Sequence, residues 1–285
     1  MDQRVPRVRA CIFDVDGTLI NSEDIYTQIY NKILKSYGKD EYPWSIKAIQ
    51  QSRGTPGTQR LLAWAGLPLS VEEWRTQEVS YREDFAHCKA LPGVTNFLQT
   101  LSNASPRIPM AIASSASKQL FDIKTTQIPE LPSFFAPELQ IFGDDPDMQG
   151  RGKKPEPDIF NLALQRINNA CVASGMTKVT SEECLVFEDS IAGVEAGRKA
   201  GMRVIWIPHD GLARVCRGQE QLVLMGSTEK DGAPPQFTDP TEGSYEITDP
   251  SQGASMMSED GKAEMINSFE SFSFDKYGIQ VKEIQ

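Results

Sequence analysis

Asp14 and Asp16 stand two positions apart where the apolar run Cys11-Ile12-Phe13 ends, and Gly17-Thr18 follow at once. In an extended segment, positions i and i+2 face the same way. At a rise of ~3.3 Å per residue the two carboxylates lie roughly 6 to 7 Å apart. That spacing lets one carboxylate attack a phosphorus atom while the other protonates a departing oxygen. Gly17 and Thr18 supply the sharp turn out of the strand. A calcium loop counted from Asp14 fails, because Thr18 falls at its fifth position and Ile25 at its twelfth, where an acid is required. A helix N-cap would account for only one of the two acids.

A second acidic pair, Glu188-Asp189, follows the apolar run Cys184-Leu185-Val186-Phe187. Four carboxylates converging on one sheet edge are costly without a cation. Hard oxygen donors in small number suit Mg²⁺, which also accepts a phosphate oxygen. Zinc is excluded, since the two histidines, His87 and His209, lie at no ligand spacing. Ser114-Ser115 follow a third apolar run, Met110 to Ala113, where a hydroxyl beside free backbone N–H groups serves as a phosphate contact or as a helix N-cap before Lys118. Lys153-Lys154 precede a rigid Pro-Glu-Pro turn, and a lysine is what an acid-rich phosphate site needs. Lys154, next to Pro155, is the better placed.

The elements that position these groups are strands at Val8 to Phe13, Met110 to Ala113, Cys184 to Phe187 and Val204 to Ile207. Helical patterns lie at Val94 to Leu101, Asp158 to Ile167 and Ser190 to Ala200. Strands alternating with helices predict a parallel sheet covered on both faces, an α/β fold with its ligand crevice at the carboxyl ends of the strands. Helical patterning fills Asn21 to Lys89, with Ile25, Ile29, Ile33 and Leu34 on one face. About 70 residues far exceed what one crossover needs. We read 21–89 as an inserted helical cap domain, and 1–20 with 90–285 as the core. Within the cap, the positions to watch are Glu23 and the turn Arg53-Gly54-Thr55, which reads equally as a turn that brings Arg53 to the phosphate or as an ordinary surface turn. Gly226 to Gly261, rich in Gly, Ser, Pro and acid, reads as a loosely ordered acidic insertion whose removal should spare the chemistry. A short late strand is expected at Leu222 to Leu224. The aromatics Phe269, Phe272 and Phe274 predict a terminal segment that docks back on the body.

The formal net charge is −10, but 12 of the 39 acidic residues and only 4 of the 29 basic ones fall in 226–285. The acidity therefore belongs to the C-terminal stretch, and no basic face for nucleic acid is evident. No apolar run approaches the ~20 residues of a membrane span, and the polar start, Met1 to Arg9, lacks a signal-peptide core. Five scattered cysteines (Cys11, Cys88, Cys171, Cys184, Cys216) with no CxxC pair predict free thiols in a reducing compartment, hence a cytoplasmic or otherwise intracellular protein.

The ordered set DVDGT, a Ser after an apolar strand, Lys before Pro, and FEDS-x-x-G resembles the haloacid dehalogenase superfamily of phosphohydrolases over about Val8 to Pro208. That resemblance implies a Rossmann-like core with a helical cap inserted after the first motif. It implies Asp14 as the nucleophile that forms an aspartyl-phosphate, and Asp16 as general acid and then base. Asp14, Asp189 and the Asp16 backbone carbonyl would bind Mg²⁺, with Glu188 supporting them. Ser114, Ser115 and Lys154 would hold the phosphate. Within the superfamily the chain is most similar to the eukaryotic pseudouridine-5′-phosphatase branch, through Phe142-Gly143-Asp144-Asp145-Pro146, Lys154 to Phe160, Cys184 to Gly193 and a last helix at Asn267-Ser268-Phe269. It departs from that pattern at Asn21, where an Asp is common, and at the 226–261 insertion.

The expected activity is hydrolysis of a small phosphomonoester: a nucleoside or sugar phosphate, pseudouridine 5′-phosphate among them. The cap would exclude water and select the leaving group. The expected protein is a monomer with a small phosphorylated metabolite as partner and neither nucleic acid nor membrane. Two other classes share the fold: a sugar phosphomutase of the β-phosphoglucomutase kind, which would need a bisphosphate activator, and a non-catalytic binding protein, which would be expected to lack the nucleophile.

Overall fold

The computed structural model describes residues 6–229, 234–239 and 255–281. Its sheet has seven strands: β1 (Ala10–Phe13), β2 (Met110–Ala113), β3 (Gln140–Ile141), β4 (Cys184–Glu188), β5 (Arg203–Trp206), β6 (Met256–Met257) and β7 (Ala263–Met265). They run in the order β3-β2-β1-β4-β5-β7-β6, parallel throughout except for the β6–β7 pair. The four predicted strands form its centre, within two residues of their expected ends. The three unpredicted ones are two or three residues long, too short for a pattern of period two to register.

Alternate residues of the central strands feed two separate cores. Cys11, Phe13, Leu185, Phe187 and Ile205 join the apolar cluster on one face. Ala10, Ile12, Cys184, Val186, Val204 and Trp206 join the cluster on the other. This double burial makes the strands read as unbroken apolar runs. Register sets Phe13 opposite Phe187, and their rings stack with centroids 4.7 Å apart. Since β1 and β4 are neighbours in register, the acids that follow them must emerge side by side.

Between β1 and β2 lie α1 (Ser22–Ser36), α2 (Trp44–Gln50), α3 (Gly54–Ala65), α4 (Val71–Ser80), a 3-10 segment at Arg82–His87, and α5 (Val94–Ser102). Ile29, Ile33, Leu61 and Trp74 from these helices belong to the same cluster as Phe13 and Phe187, so apolar packing is continuous from the sheet into the helical segment. The segment's two ends run together. Ile20 bridges Ala90, Asn21 N donates to Lys89 O at 3.0 Å, and Lys89 N donates to Asn21 Oδ1 at 2.7 Å. The departure at Asn21 thus has a structural use: its side chain clamps the two connecting strands of chain.

The remaining helices are α6 (Lys118–Lys124), α7 (Asp158–Ala173), α8 (Ile191–Lys199), α9 (Asp210–Val215) and α10 (Glu220–Leu224). The strand expected at Leu222 to Leu224 is instead the end of α10. There Val223 and Leu224 are both buried while Leu222 is exposed, and a three-residue apolar run cannot separate the two states. The terminal aromatics do dock: Phe269 and Phe272 are buried against Phe97 and Phe187, Phe274 stacks on Phe97, and the buried Tyr277 stacks on Phe272. They do so from 3-10 turns at Phe269–Ser271 and Asp275–Tyr277 rather than from a last helix.

The stretch 226–261 is not uniformly loose. Most of its middle lies outside the described residues, but its ends are built in. Thr228 hydrogen-bonds Glu195, Glu229 pairs with Arg53 and Arg60 at 2.9 Å each, and β6 completes the sheet edge. Composition signals solvated chain and cannot register such sparse anchors. All five cysteines are buried free thiols. Among the described residues, no helix is long and apolar enough to cross a membrane.

Candidate active site

Asp14 follows β1 and its backbone N donates to Phe187 O at 3.0 Å, locking the first acidic pair to the end of β4. One oxygen each of Asp14, Glu188 and Asp189 lie within 4.8 Å of one another, and all three residues are buried. Gly17, at φ +77°, permits this proximity, since a β-carbon there would sit 2.7 Å from Glu23 Cγ and 2.8 Å from Asp189 Cγ. Gly193 does the same for Glu188, whose carboxylate occupies the space a side chain would need.

Lys154 is the cation at the centre. Its Nζ donates to Asp14 Oδ1 at 2.5 Å, Glu188 Oε1 at 2.6 Å and Ala113 O at 3.1 Å. The other oxygen of Glu188 accepts from Ser190 N and Oγ at 3.2 and 3.1 Å. Glu188 is therefore fully engaged in holding Lys154 and the loop into α8. Asp14 Oδ2 and Asp189 Oδ1, by contrast, are buried with no hydrogen-bond partner. Burial pushes both carboxyls well above the usual range; at Asp14, Lys154 opposes it, and at Asp189, Glu23, Glu188 and Asp14 add to it. At Lys154, burial opposes the charge, but Asp14 and Glu188 outweigh it and raise the pKa above a lysine's ordinary value. Three buried carboxylates against one lysine leave an excess of negative charge with two unpartnered oxygens. That donor set, oxygen only and anionic, fits Mg²⁺.

Ser114 is buried directly after β2, and its Oγ accepts from Ala116 N at 3.2 Å. The N-cap of α6 is Ser117 rather than Ser114, so neither predicted serine is consumed by capping that helix. Ser115 and Asp16 line a pocket of about 160 Å³ together with Glu23, Tyr26, Tyr30, Lys47, Gln50, Gln51 and Ser52. Helical-segment side chains therefore meet the strand ends here. Gln51 Nε2 reaches Asp189 Oδ2 at 2.5 Å. Glu23 is paired with Lys47 at 2.8 Å. Arg53 is buried with Glu195 at 3.2 Å and Glu229 at 2.9 Å, and lines a different pocket with Arg60, Lys153 and Lys154.

Sequence reasoning missed Lys124, Lys47, Gln51, Tyr26 and Ser22. Lys124 ion-pairs with Asp16 and donates to Tyr26 Oη at 3.1 Å, while Ser22 Oγ donates to Asp16 Oδ1 at 2.6 Å. The one available signal was Lys124 three positions after Phe121, on the buried side of α6. Burial lowers the Lys124 pKa, but Asp16 and Tyr26 more than offset it and the lysine stays charged.

A family model described as haloacid dehalogenase-like hydrolase matches residues 8–201. A protein of Saccharomyces cerevisiae named probable pseudouridine-5′-phosphatase is 37% identical over 227 residues, which cover 78% of this chain and 91% of that protein. The mitochondrial (DL)-glycerol-3-phosphatase 1 of Arabidopsis thaliana is 32% identical over 235 residues, covering 80% and 74%. Among solved structures, a HAD hydrolase of family IA from Entamoeba histolytica aligns over 95% of this chain and 97% of its own, with a TM-score of 0.62 at 19% identity, a likeness of fold.

Proposed function

This chain belongs to the haloacid dehalogenase-like hydrolases and is a phosphatase acting on small phosphorylated substrates, and on that premise we propose that it works through an aspartyl-phosphate on Asp14 with Mg²⁺ bound beside it. One observation carries this reading. Lys154 fixes Asp14 by Oδ1 while Oδ2 stays buried and unpartnered, as does Asp189 Oδ1, and both residues belong to one carboxylate cluster with Glu188. An unpaired buried carboxylate oxygen is expensive, and a nucleophile facing an electrophile is a reason to retain one.

In the proposed reaction Asp14 attacks phosphorus, and Asp16 protonates the leaving oxygen. Asp16 then takes a proton from the water that cleaves the acyl phosphate. Ser114 and Ser115 would hold the phosphoryl oxygens, and Lys154 would join them by exchanging one of its three bonds, to Asp14, Glu188 or Ala113, for a phosphate oxygen. Mg²⁺ would be held by Asp14, Asp189 and the Asp16 backbone carbonyl, and would offset the phosphate charge. Glu188 orients Lys154 from behind.

We assign 21–89 the role of a cap domain hinged at the paired ends near Asn21 and Lys89. The reach of Gln51 to Asp189 and the pocket shared by Tyr26, Tyr30, Gln50 and Ser115 support that role. Aromatic faces beside side-chain amides suit a sugar or nucleoside leaving group, and pseudouridine 5′-phosphate is the first candidate because of the yeast relative. The five buried thiols fit an intracellular, cytoplasmic enzyme. Phosphate release across a panel of nucleoside, sugar and polyol phosphates, with Mg²⁺ and then EDTA, tests the proposal. Release that persists in Asp14→Asn refutes it. Turnover that needs an added bisphosphate and releases little phosphate would assign a mutase instead.

A further inference from the structure

Lys124 closes α6 and is completely buried, yet its partner Asp16 is not: the Asp16 side chain keeps 17% exposure. Lysines ordinarily carry their charge out to water along an apolar stem. Here the reverse holds. The ammonium is drawn inward to an aspartate that solvent could serve, between the rings of Tyr26 and Phe85, each with its centroid 4.7 Å from Nζ. Both bonds to Asp16 fall on the same atom: Lys124 Nζ and Ser22 Oγ converge on Oδ1. Among the described residues, no hydrogen bond engages Oδ2, and Asp16 lines the pocket beside Ser115 and Tyr26.

A carboxylate held by one oxygen from two directions has lost its freedom to rotate about the Cβ–Cγ bond. We propose, resting on the reading of Asp16 as the proton carrier, that Lys124 is a positioning residue, which with Ser22 pins Asp16 through Oδ1 so that Oδ2 faces the leaving oxygen of the substrate. Neutralisation alone would not require a second donor on the same atom, nor a fully desolvated lysine. Tyr26 and Phe85 lie in the helical segment, on α1 and in the 3-10 segment Arg82–His87 respectively. The aim of Asp16 is therefore set jointly by α6 and by the elements that cover the site.

A double-mutant cycle on the full-length enzyme tests this, reading kcat/KM for phenyl phosphate and for para-nitrophenyl phosphate, whose leaving group needs less proton help. Lys124→Met should lower kcat/KM for phenyl phosphate by about 10- to 100-fold, in the range of a misdirected acid–base group. The loss for para-nitrophenyl phosphate should be smaller. In an Asp16→Asn background, Lys124→Met should cost less than about twofold. Ser22→Ala, a small change that serves even if Lys124→Met does not fold, should lower phenyl phosphate turnover by about 3- to 10-fold and likewise lose its effect in Asp16→Asn. Equal losses in both backgrounds, or wild-type rates in either folded single variant, overturn the positioning role. Wild-type rates in Asp16→Asn itself would refute the proton-carrier reading instead, so the two failures are distinguishable.

Discussion

Replacing Gly17 with alanine should damage the site through a single methyl group. Gly17 has φ +77°, and an L-residue there costs about 1–2 kcal/mol in backbone strain. The new β-carbon would lie 2.7 Å from Glu23 Cγ and 2.8 Å from Asp189 Cγ. Carbon atoms rest about 3.5–4.0 Å apart, so each neighbour must retreat by about 1 Å. Asp189 cannot do so freely, because Trp206 Nε1 holds its backbone carbonyl at 2.7 Å and Gln51 its carboxylate at 2.5 Å. Losing the Gln51 bond to a charged group adds about 1.5–3 kcal/mol. The sum, about 2.5–5 kcal/mol, corresponds to a fall in Tm of roughly 5 to 20 °C. A carboxylate misplaced by about 1 Å should reduce kcat/KM by about 100-fold, and stabilisation by added Mg²⁺ should weaken. Gly38→Ala is the control: it has φ +66° and nothing within 4 Å of a new β-carbon, so it should show strain alone with unchanged activity. The assay is thermal unfolding with and without Mg²⁺, alongside para-nitrophenyl phosphate turnover. If Gly17→Ala matched Gly38→Ala in activity and in Mg²⁺ response, the inferred crowding of Asp189 would be wrong.

Lys154→Met should leave Asp14 and Glu188 buried without their shared cation, destabilising the fold by about 3–5 kcal/mol and abolishing turnover; an unchanged denaturation midpoint would contradict the charge balance described. With Mg²⁺ bound at the folded carboxylate cluster as proposed, and not by the unfolded chain, added Mg²⁺ should raise Tm and EDTA should reverse the gain; a Tm indifferent to Mg²⁺ would refute the metal assignment. Deleting 226–261 should lower stability, through loss of β6, of the Thr228–Glu195 bond and of the Glu229 pairs to Arg53 and Arg60. A deletion variant with wild-type Tm would show that those anchors contribute nothing.

The sequence exposed what the central sheet demands. Strands β1, β2, β4 and β5 are buried on both faces, so apolar runs marked them, and the acids and serines at or just past their ends were readable by position, while Lys154 was marked only by the rigid Pro-Glu-Pro turn that it precedes. The two-residue strands β3 and β6 and the turn into α10 carried no period. Lys124, Lys47 and Gln51 were hidden for another reason: each acts across a contact 20 to 138 positions away, and a lone polar residue within or just after a helix does not announce its partner. Arg53 was singled out as a site residue in a cap turn, but no pattern in the sequence could reveal that Glu195 and Glu229 already engage it.

The claim on which everything else depends is covalent chemistry at Asp14. Acid quenching during steady turnover, followed by borohydride reduction and peptide mass spectrometry, would mark an acyl phosphate by converting its aspartate to homoserine. Homoserine is expected at position 14 alone in the wild-type enzyme and at no position in Asp14→Asn. Vigorous phosphate release with position 14 unmodified would contradict it.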